Sequence, residues 1–103
     1  MIVRTWSARA TQAGADAYRN YFEKTLLPEL RGISGFSGGL LLSRDMDGLV
    51  ELTTHTMWES MDAIGAFAGD DLTAAVVEPQ ALAWLHDSDP TVVHRIVLVD
   101  ASE

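Results

Sequence analysis

Two stretches of this chain are apolar on both faces of the strands that they are predicted to form. Leu40, Leu41 and Leu42 follow one another in the first stretch, and the second ends in Ile96-Val97-Leu98-Val99. A strand with one solvated face alternates apolar and polar residues, because successive side chains point to opposite faces of the sheet. Both faces of the predicted sheet must therefore be shielded from water. Only a fold or an assembly that covers both faces is compatible with this chain of 103 residues.

The hydrophobic periodicity predicts four strands and two helical regions. Tyr18, Phe22 and Leu26 recur four residues apart, which indicates an amphipathic helix that we expect Pro28 to kink or end in a 3₁₀ turn. Thr56 and Glu59 have capping-box spacing, so the second helix is expected to begin near Met57. The predicted strands are 2–9, 36–44, 49–57 and 91–99, with a hairpin turn at 45–48, and the predicted helical segments are 13–31, 57–68 and 72–85, the last interrupted at position 79.

The order β-α-β-β-α-β predicts an α+β, ferredoxin-like domain spanning residues 1–103, with a four-stranded antiparallel sheet. Right-handed crossovers place both helical regions on one face of that sheet. The chain has nothing left to cover the other face, so we expect a homodimer formed by sheet-to-sheet packing. The alternative is a monomer with an exposed apolar face, which would be prone to aggregate.

Composition narrows the classes of partner. The net charge of −8 disfavours nucleic acid and anionic membrane surfaces, which both attract basic faces. Cysteine is absent, which removes disulfides and thiolate chemistry. The first residues lack the pattern of a signal peptide, and no apolar run approaches the roughly 20 residues of a membrane span, so a cytoplasmic location is expected.

The candidate site residues come from strand faces. Trp58 shares a strand face with Thr54 and Thr56, which is typical either of a pocket with hydroxyl anchors or of the top layer of a core. Arg4 and Trp6 share a face of the first strand. We assign Arg4 and Trp6 to substrate binding, together with Thr56 and with Phe67 from the buried stripe of the second helix.

Histidines supply the only neutral-pH bases. His94 interrupts an apolar strand and is either a hydrogen-bonded core residue or the base of a pocket, whereas His55 falls on the strand face opposite Trp58. The sequence leaves open which of these two faces the cavity. No spacing typical of a metal site or a nucleotide-binding loop occurs, so neither a metal nor a cofactor is expected.

The stretches "WESMDAIGAFAGDD", "AVVEPQA" and "VVHRIVLV", with "LLPELRGISGFSGGLLLSRDMDG" before them, resemble antibiotic biosynthesis monooxygenase-like proteins of the dimeric α/β-barrel superfamily. The resemblance covers about residues 2–99. It implies a pocket between the sheet and its helices where aromatic compounds react with O₂ without flavin, haem or metal. Trp58 matches the tryptophan of the family's W-x-S motif, whereas Thr54 stands where an asparagine is expected. The haem-degrading branch has a histidine ligand on the second helical segment, and residues 72–77 offer none.

The predicted function is a cofactor-independent monooxygenase that oxidises a hydroxylated polyaromatic compound, such as an anthrone or hydroquinone, to a quinone. Trp58 would stack on the flat ring, Thr54 or Thr56 would hydrogen-bond an oxygen, and His94 would take the proton. Two other classes of function stay open from the residues alone. One is a lyase, isomerase or cyclase that uses the same pocket without O₂, and the other is a non-enzymatic dimer that binds small molecules.

Overall fold

The computed structural model describes residues 1–101 and has the predicted α+β class. A π-helical turn, Phe22–Leu26, joins the first two helices. The strands are β1 (Ile2–Ala10), β2 (Phe36–Met46), β3 (Leu49–Trp58), β4 (Asp87–Ser88) and β5 (Val93–Ile96), and the helices are α1 (Gln12–Tyr21), α2 (Leu27–Arg31), α3 (Met61–Ala68) and α4 (Pro79–Leu82).

The sheet has the strand order β2-β3-β1, and both β4 and β5 pair with the remaining edge of β1. Every pairing is antiparallel. This is the ferredoxin-like order, so the predicted fold is confirmed. The sheet has five strands instead of the predicted four, because β4 forms ahead of the predicted final strand 91–99, of which β5 is the part that pairs. The sheet is open, and its central strands are β1 and β3.

The final strand differs from the prediction at both ends. The backbone leaves β1 between β4 and β5, where Ala75 donates to the carbonyl of Pro90 and Val92 donates to that of Thr73. At the other end, β5 stops at Ile96, and Val97 donates to the carbonyl of Met1. Leu98 lies outside the strand and is exposed.

Alternation along β1 and β3 places one face of the sheet under the helices. The even-numbered residues from Arg4 to Ala10 and from Val50 to Trp58 are buried, and the odd-numbered residues between them are less so. Trp6, Ala8 and Leu52 belong to the core on the covered face. His55 lies on the other, open face, as the period of two predicts.

The first helical region begins one residue earlier than predicted and contains no 3₁₀ tail. The Thr11 hydroxyl accepts from the amide of Gly14 and caps α1. In the π-helical turn the Leu27 amide donates to the carbonyl of Phe22, five residues back. Pro28 has no amide hydrogen, and its ring would crowd the carbonyl four residues before it. The wider π-helical turn lies directly before Pro28, and the helix continues through the proline as α2.

The second helical region is shorter than predicted. The predicted capping box of Thr56 and Glu59 was wrong, because Thr56 lies within β3. The hydroxyl of Ser60 instead accepts from the Ala63 amide at the start of α3. Residues 69–78 are irregular, and of the predicted helix 72–85 only α4 forms. The backbone of this segment is hydrogen-bonded to residues 90–92 and to a side chain of β1, which replaces the bonds that a helix would make.

No helix within residues 1–101 is long and apolar enough to cross a bilayer.

Candidate functional site

A small cavity lies between the covered face of the sheet and the helices. Its volume is about 40 Å³, which holds a few water molecules but not a fused ring system. Five of the predicted site residues meet in its wall, namely Arg4, Trp6, Thr54, Thr56 and Phe67.

The strand register explains why four of these residues meet. Arg4 lies opposite Thr56 and Trp6 lies opposite Thr54 in the antiparallel pairing of β1 with β3. Directly opposite residues project to the same face, so the two strands present a cation, an indole and two hydroxyls side by side. The indole Nε1 of Trp6 donates to the carbonyl of Asp89 at 2.8 Å, which fixes the ring against the loop after β4.

Arg4 is a buried cation. Its side chain lies in the covered layer, and the residue is only 4% exposed. The guanidinium donates through Nη1 to the carbonyl of Leu72 at 2.7 Å and through Nη2 to that of Ala74 at 2.8 Å. It also lies 5.9 Å from the centre of the Phe67 ring. Burial lowers the pKa of Arg4, and within residues 1–101 no carboxylate forms an ion pair with it.

His94 contacts the site through Arg4. The two residues are opposite each other in the pairing of β1 with β5, and Nη1 of Arg4 lies 3.0 Å from Nε2 of His94. A guanidinium can only donate, so Nε2 accepts and the neutral imidazole carries its proton on Nδ1. Burial and then the charge of Arg4 lower the pKa of His94. Of the two histidines left open by the sequence, His94 is thus on the cavity side of the sheet.

Trp58 lies behind the cavity. It is fully buried, and it does not belong to the described residues that line the cavity. Its ring stacks on that of Phe67 at 5.9 Å between centroids, and Phe36 meets it edge-on at 5.2 Å. Its Nε1 donates to the hydroxyl of Thr56 at 2.9 Å. Trp58 therefore supports two wall residues, Phe67 and Thr56, and does not itself reach the cavity.

Apart from Phe67, the sequence did not single out the helical side of the cavity. Tyr18 of α1 lines it, with its ring 5.9 Å from that of Trp6, and burial raises the pKa of the Tyr18 phenol. Tyr18 was placed in the apolar stripe of the first helix, which is correct, but a stripe does not reveal where packing is incomplete. Val76, from the irregular segment, and Val92 also line the cavity, together with Phe22, Leu26 and Leu30.

A second, more open depression lies between α1 and the edge strand β2. Its volume is about 490 Å³, and apolar Phe22 and Leu41 share its wall with Asp16, Arg19 and Glu23. None of the seven predicted site residues lines this groove. The convergent buried polar groups expected of a specific site are found in the small cavity instead. Within residues 1–101 no three potential metal ligands lie together.

Solved structures of other proteins are similar to this one over nearly their whole length. A putative antibiotic biosynthesis monooxygenase from Bacillus cereus has a TM-score of 0.66 at 14% identity, covering 99% of this chain and 97% of that chain. The ActVA-Orf6 monooxygenase of Streptomyces coelicolor, in complex with nanaomycin D, has a TM-score of 0.59 at 14% identity, covering 97% and 92%. The heme-degrader MhuD of Mycobacterium tuberculosis, with two hemes bound, has a TM-score of 0.57 at 21% identity, covering 99% and 100%.

The chain has the fold of these proteins. The resemblance to antibiotic biosynthesis monooxygenases is thus confirmed at the level of the fold, which hosts both oxygenation and heme degradation. No family model and no curated protein matches the sequence.

Proposed function

We propose that this protein is a cofactor-independent monooxygenase acting on a hydroxylated aromatic compound. The observation that carries the proposal is the cavity itself, which sets a cation and two hydroxyls against aromatic rings in a fold shared with known monooxygenases. Apolar and aromatic walls suit a flat ring, and the few polar groups suit its oxygen substituents.

The reaction draws its electrons from the substrate. For an anthrone, loss of a proton gives an electron-rich anion that transfers an electron to O₂, and the radical pair recombines at the same carbon. The CH₂ group gains one oxygen atom and loses two hydrogens, so it becomes a carbonyl, and the second oxygen atom leaves as water. The protein is required to bind the ring, stabilise the anion and exclude bulk water.

The wall residues take distinct roles in this proposal. The Thr54 hydroxyl donates to a substrate oxygen, and Trp6 and Phe67 contact the ring. Thr56 has less freedom, because its hydroxyl already accepts from Trp58. Trp58 is a positioning residue that acts through Phe67 and Thr56. His94 is the proposed base, and its lone pair becomes available when Arg4 moves away from Nε2.

The cavity must widen when such a substrate binds, since about 40 Å³ is too small for it. The outer wall contains Val76, which lies in the irregular segment 69–78 and is exposed to solvent. Displacement of this segment opens the cavity without disturbing the sheet. Motions of such loops commonly gate access in enzymes.

The test is O₂ uptake by metal-free protein with anthrones, naphthohydroquinones and catechols, without added cofactor. We expect uptake well above autoxidation in the wild type and a loss of about tenfold to a thousandfold in Thr54→Val, since hydrogen-bond donors to a developing oxyanion contribute on that scale. Thr53→Val is the matched control, because Thr53 lies on the open face of the same strand. Uptake that never exceeds autoxidation would contradict the proposal.

We further propose that two copies pack through their open faces. Leu40, Leu42 and Val93 project from this face and are about half exposed. Exposed apolar side chains on a sheet face favour association, and a two-fold axis covers both copies at once.

A further inference from the structure

Arg4 is buried more deeply than an unpaired cation tolerates without compensation. Its hydrogen-bond acceptors are two backbone carbonyls and a neutral imidazole. Burying a charge without a counter-charge is unfavourable even when its hydrogen bonds are made. The ion pairs within residues 1–101 involve Arg9 and Arg44 and not Arg4.

The guanidinium also has unused donors. Three of its five N–H groups are accounted for by Leu72, Ala74 and His94. Within residues 1–101, the hydrogen bonds of the Arg4 side chain come from Nη1 and Nη2 and none comes from Nε. No buried side-chain nitrogen there lacks a partner, so Nε keeps accessible surface, and the side chain lines the cavity. Nε and Nη2 form the edge of a guanidinium that receives both oxygens of a carboxylate.

We propose that the cavity binds an organic carboxylate through Arg4. If the chain has the oxygenase function proposed above, on which this assignment of a substrate rests, its substrate is a hydroxylated aromatic acid whose carboxylate contacts Arg4 and whose ring oxygen contacts Thr54. The cavity of about 40 Å³ accommodates the carboxylate group alone, and the ring occupies the space opened by segment 69–78.

Carboxylate binding and opening of the segment are coupled through the same side chain. Arg4 holds residues 72–74 to the sheet by its bonds to the carbonyls of Leu72 and Ala74, and it holds the lone pair of His94. A carboxylate on the Nε–Nη2 edge attracts the guanidinium more strongly than the three neutral acceptors do, because it is charged, and draws the guanidinium away from them. Its arrival therefore loosens the cover of the cavity and frees the imidazole nitrogen of His94.

The experiment compares a matched acid and amide without O₂. Binding of 1-hydroxy-2-naphthoate and of 1-hydroxy-2-naphthamide to the wild-type chain is measured by calorimetry under anaerobic conditions near neutral pH. We expect the acid to bind at least about tenfold more tightly, which is the scale of a charge-assisted hydrogen bond. Equal affinity for the two compounds, or no binding of either, would overturn the proposal.

Two variants locate the contact. Arg4→Gln should remove the preference for the acid, whereas Arg95→Gln should keep it, because Arg95 is exposed and lies opposite Val3 on the other face. A preference that survives Arg4→Gln would assign the carboxylate to another site and overturn the proposal.

A wild-type measurement covers the case in which Arg4→Gln does not fold. Titration with the acid should shift the NMR signals of the His94 ring, and the amide should not, since only the acid displaces Arg4 from Nε2. Unshifted His94 signals at saturation with the acid would contradict the proposed coupling. Tight binding of the acid without O₂ uptake would leave the carboxylate site standing and remove the oxygenase function.

Discussion

Nη1 of Arg4 donates to Nε2 of His94 across two paired strands, at 3.0 Å. The contact favours the neutral imidazole, because protonation of Nε2 would set two cations against each other. Burial and the charge of Arg4 both lower the pKa of His94 from its ordinary value of 6.5. We expect Arg4→Gln to raise this pKa by removing the charge, although the contribution of burial remains.

NMR titration of the imidazole signals measures the pKa of His94 directly. Arg95→Gln is the control for a general change in net charge, since it removes an exposed cation of the same edge strand. An unchanged pKa of His94 in Arg4→Gln would mean that the two side chains do not interact in solution.

The lowered pKa of His94 also gives stability a pH dependence. The unfolded chain binds this proton more readily than the folded chain, so the free energy of unfolding rises with pH. The contribution is complete above the unfolded pKa of about 6.5 and is lost as the pH falls below it. Urea unfolding at about pH 5 and about pH 7.5 should therefore show a smaller change in His94→Gln than in the wild type. Equal changes in the two proteins would contradict the assignment.

The faces of the central strands were predictable because alternation is a local property. The period of two placed Arg4 with Trp6 on one face of the first strand and Thr54 with Thr56 on the face of the third strand opposite His55, as the burial of β1 and β3 confirms. The strand register then brings the two pairs together. The helix predicted over residues 72–85 forms only as α4, and its first part, residues 72–78, was wrong because the backbone partners of that part are distant in sequence. The amide of Val92 and the guanidinium of Arg4 take carbonyls of residues 72–74, and no local pattern predicts these bonds.

The sequence pointed to residues that meet around the cavity, but not to whether each one lines the cavity or is buried behind its wall. The sequence placed Trp58 beside Thr54 and Thr56 and left open whether it was core or pocket. The answer depends on Phe67 of α3, which stacks on Trp58, and on the other residues of the cluster that leave Trp58 fully buried. The sequence likewise could not show that Arg4 has no ion-pair partner within residues 1–101, because this depends on which residues surround the guanidinium.

Trp58 is expected to matter mainly for stability. Trp58→Ala removes a fully buried ring from under Phe67 and should lower the free energy of unfolding by about 3–5 kcal/mol. Thr56→Val leaves the indole N–H without its acceptor and should lower it by about 1–3 kcal/mol.

A double-mutant cycle with Trp58→Phe isolates the hydrogen bond from the ring. Phe keeps most of the ring and removes the N–H, so Thr56→Val should be less destabilising in the Trp58→Phe background than in the wild type. Denaturant unfolding gives all four free energies. Additive losses would mean that the bond to Thr56 contributes nothing.

Two helical glycines should respond to alanine in opposite directions. A Cβ at Gly14 would lie 2.1 Å from the backbone carbonyl oxygen of Trp84, so Gly14→Ala must shift α1 or that segment and should destabilise the protein by about 1–3 kcal/mol. A Cβ at Gly65 meets only Leu72, at 3.6 Å, an ordinary contact. Gly65→Ala should therefore stabilise α3 by about 0.5–1 kcal/mol, because glycine loses more conformational entropy on folding. Thermal unfolding of both variants tests the packing of α1 against Trp84, and a neutral Gly14→Ala would contradict it.

The open face of the sheet should hold two copies together. Leu40 lies opposite His55 on this face and is 51% exposed, whereas Leu82 of α4 is 52% exposed on another part of the surface. The two leucines differ in location but hardly in exposure. Leu40→Lys places a charge in the proposed sheet-to-sheet interface, and we expect it to raise the dissociation constant of the dimer by about a hundredfold or more, since burying an unpaired charge is strongly unfavourable. Leu82→Lys should leave the dimer intact. Sedimentation equilibrium distinguishes the outcomes, and a monomeric wild type, or equal effects of the two lysines, would mean that this face does not form the interface.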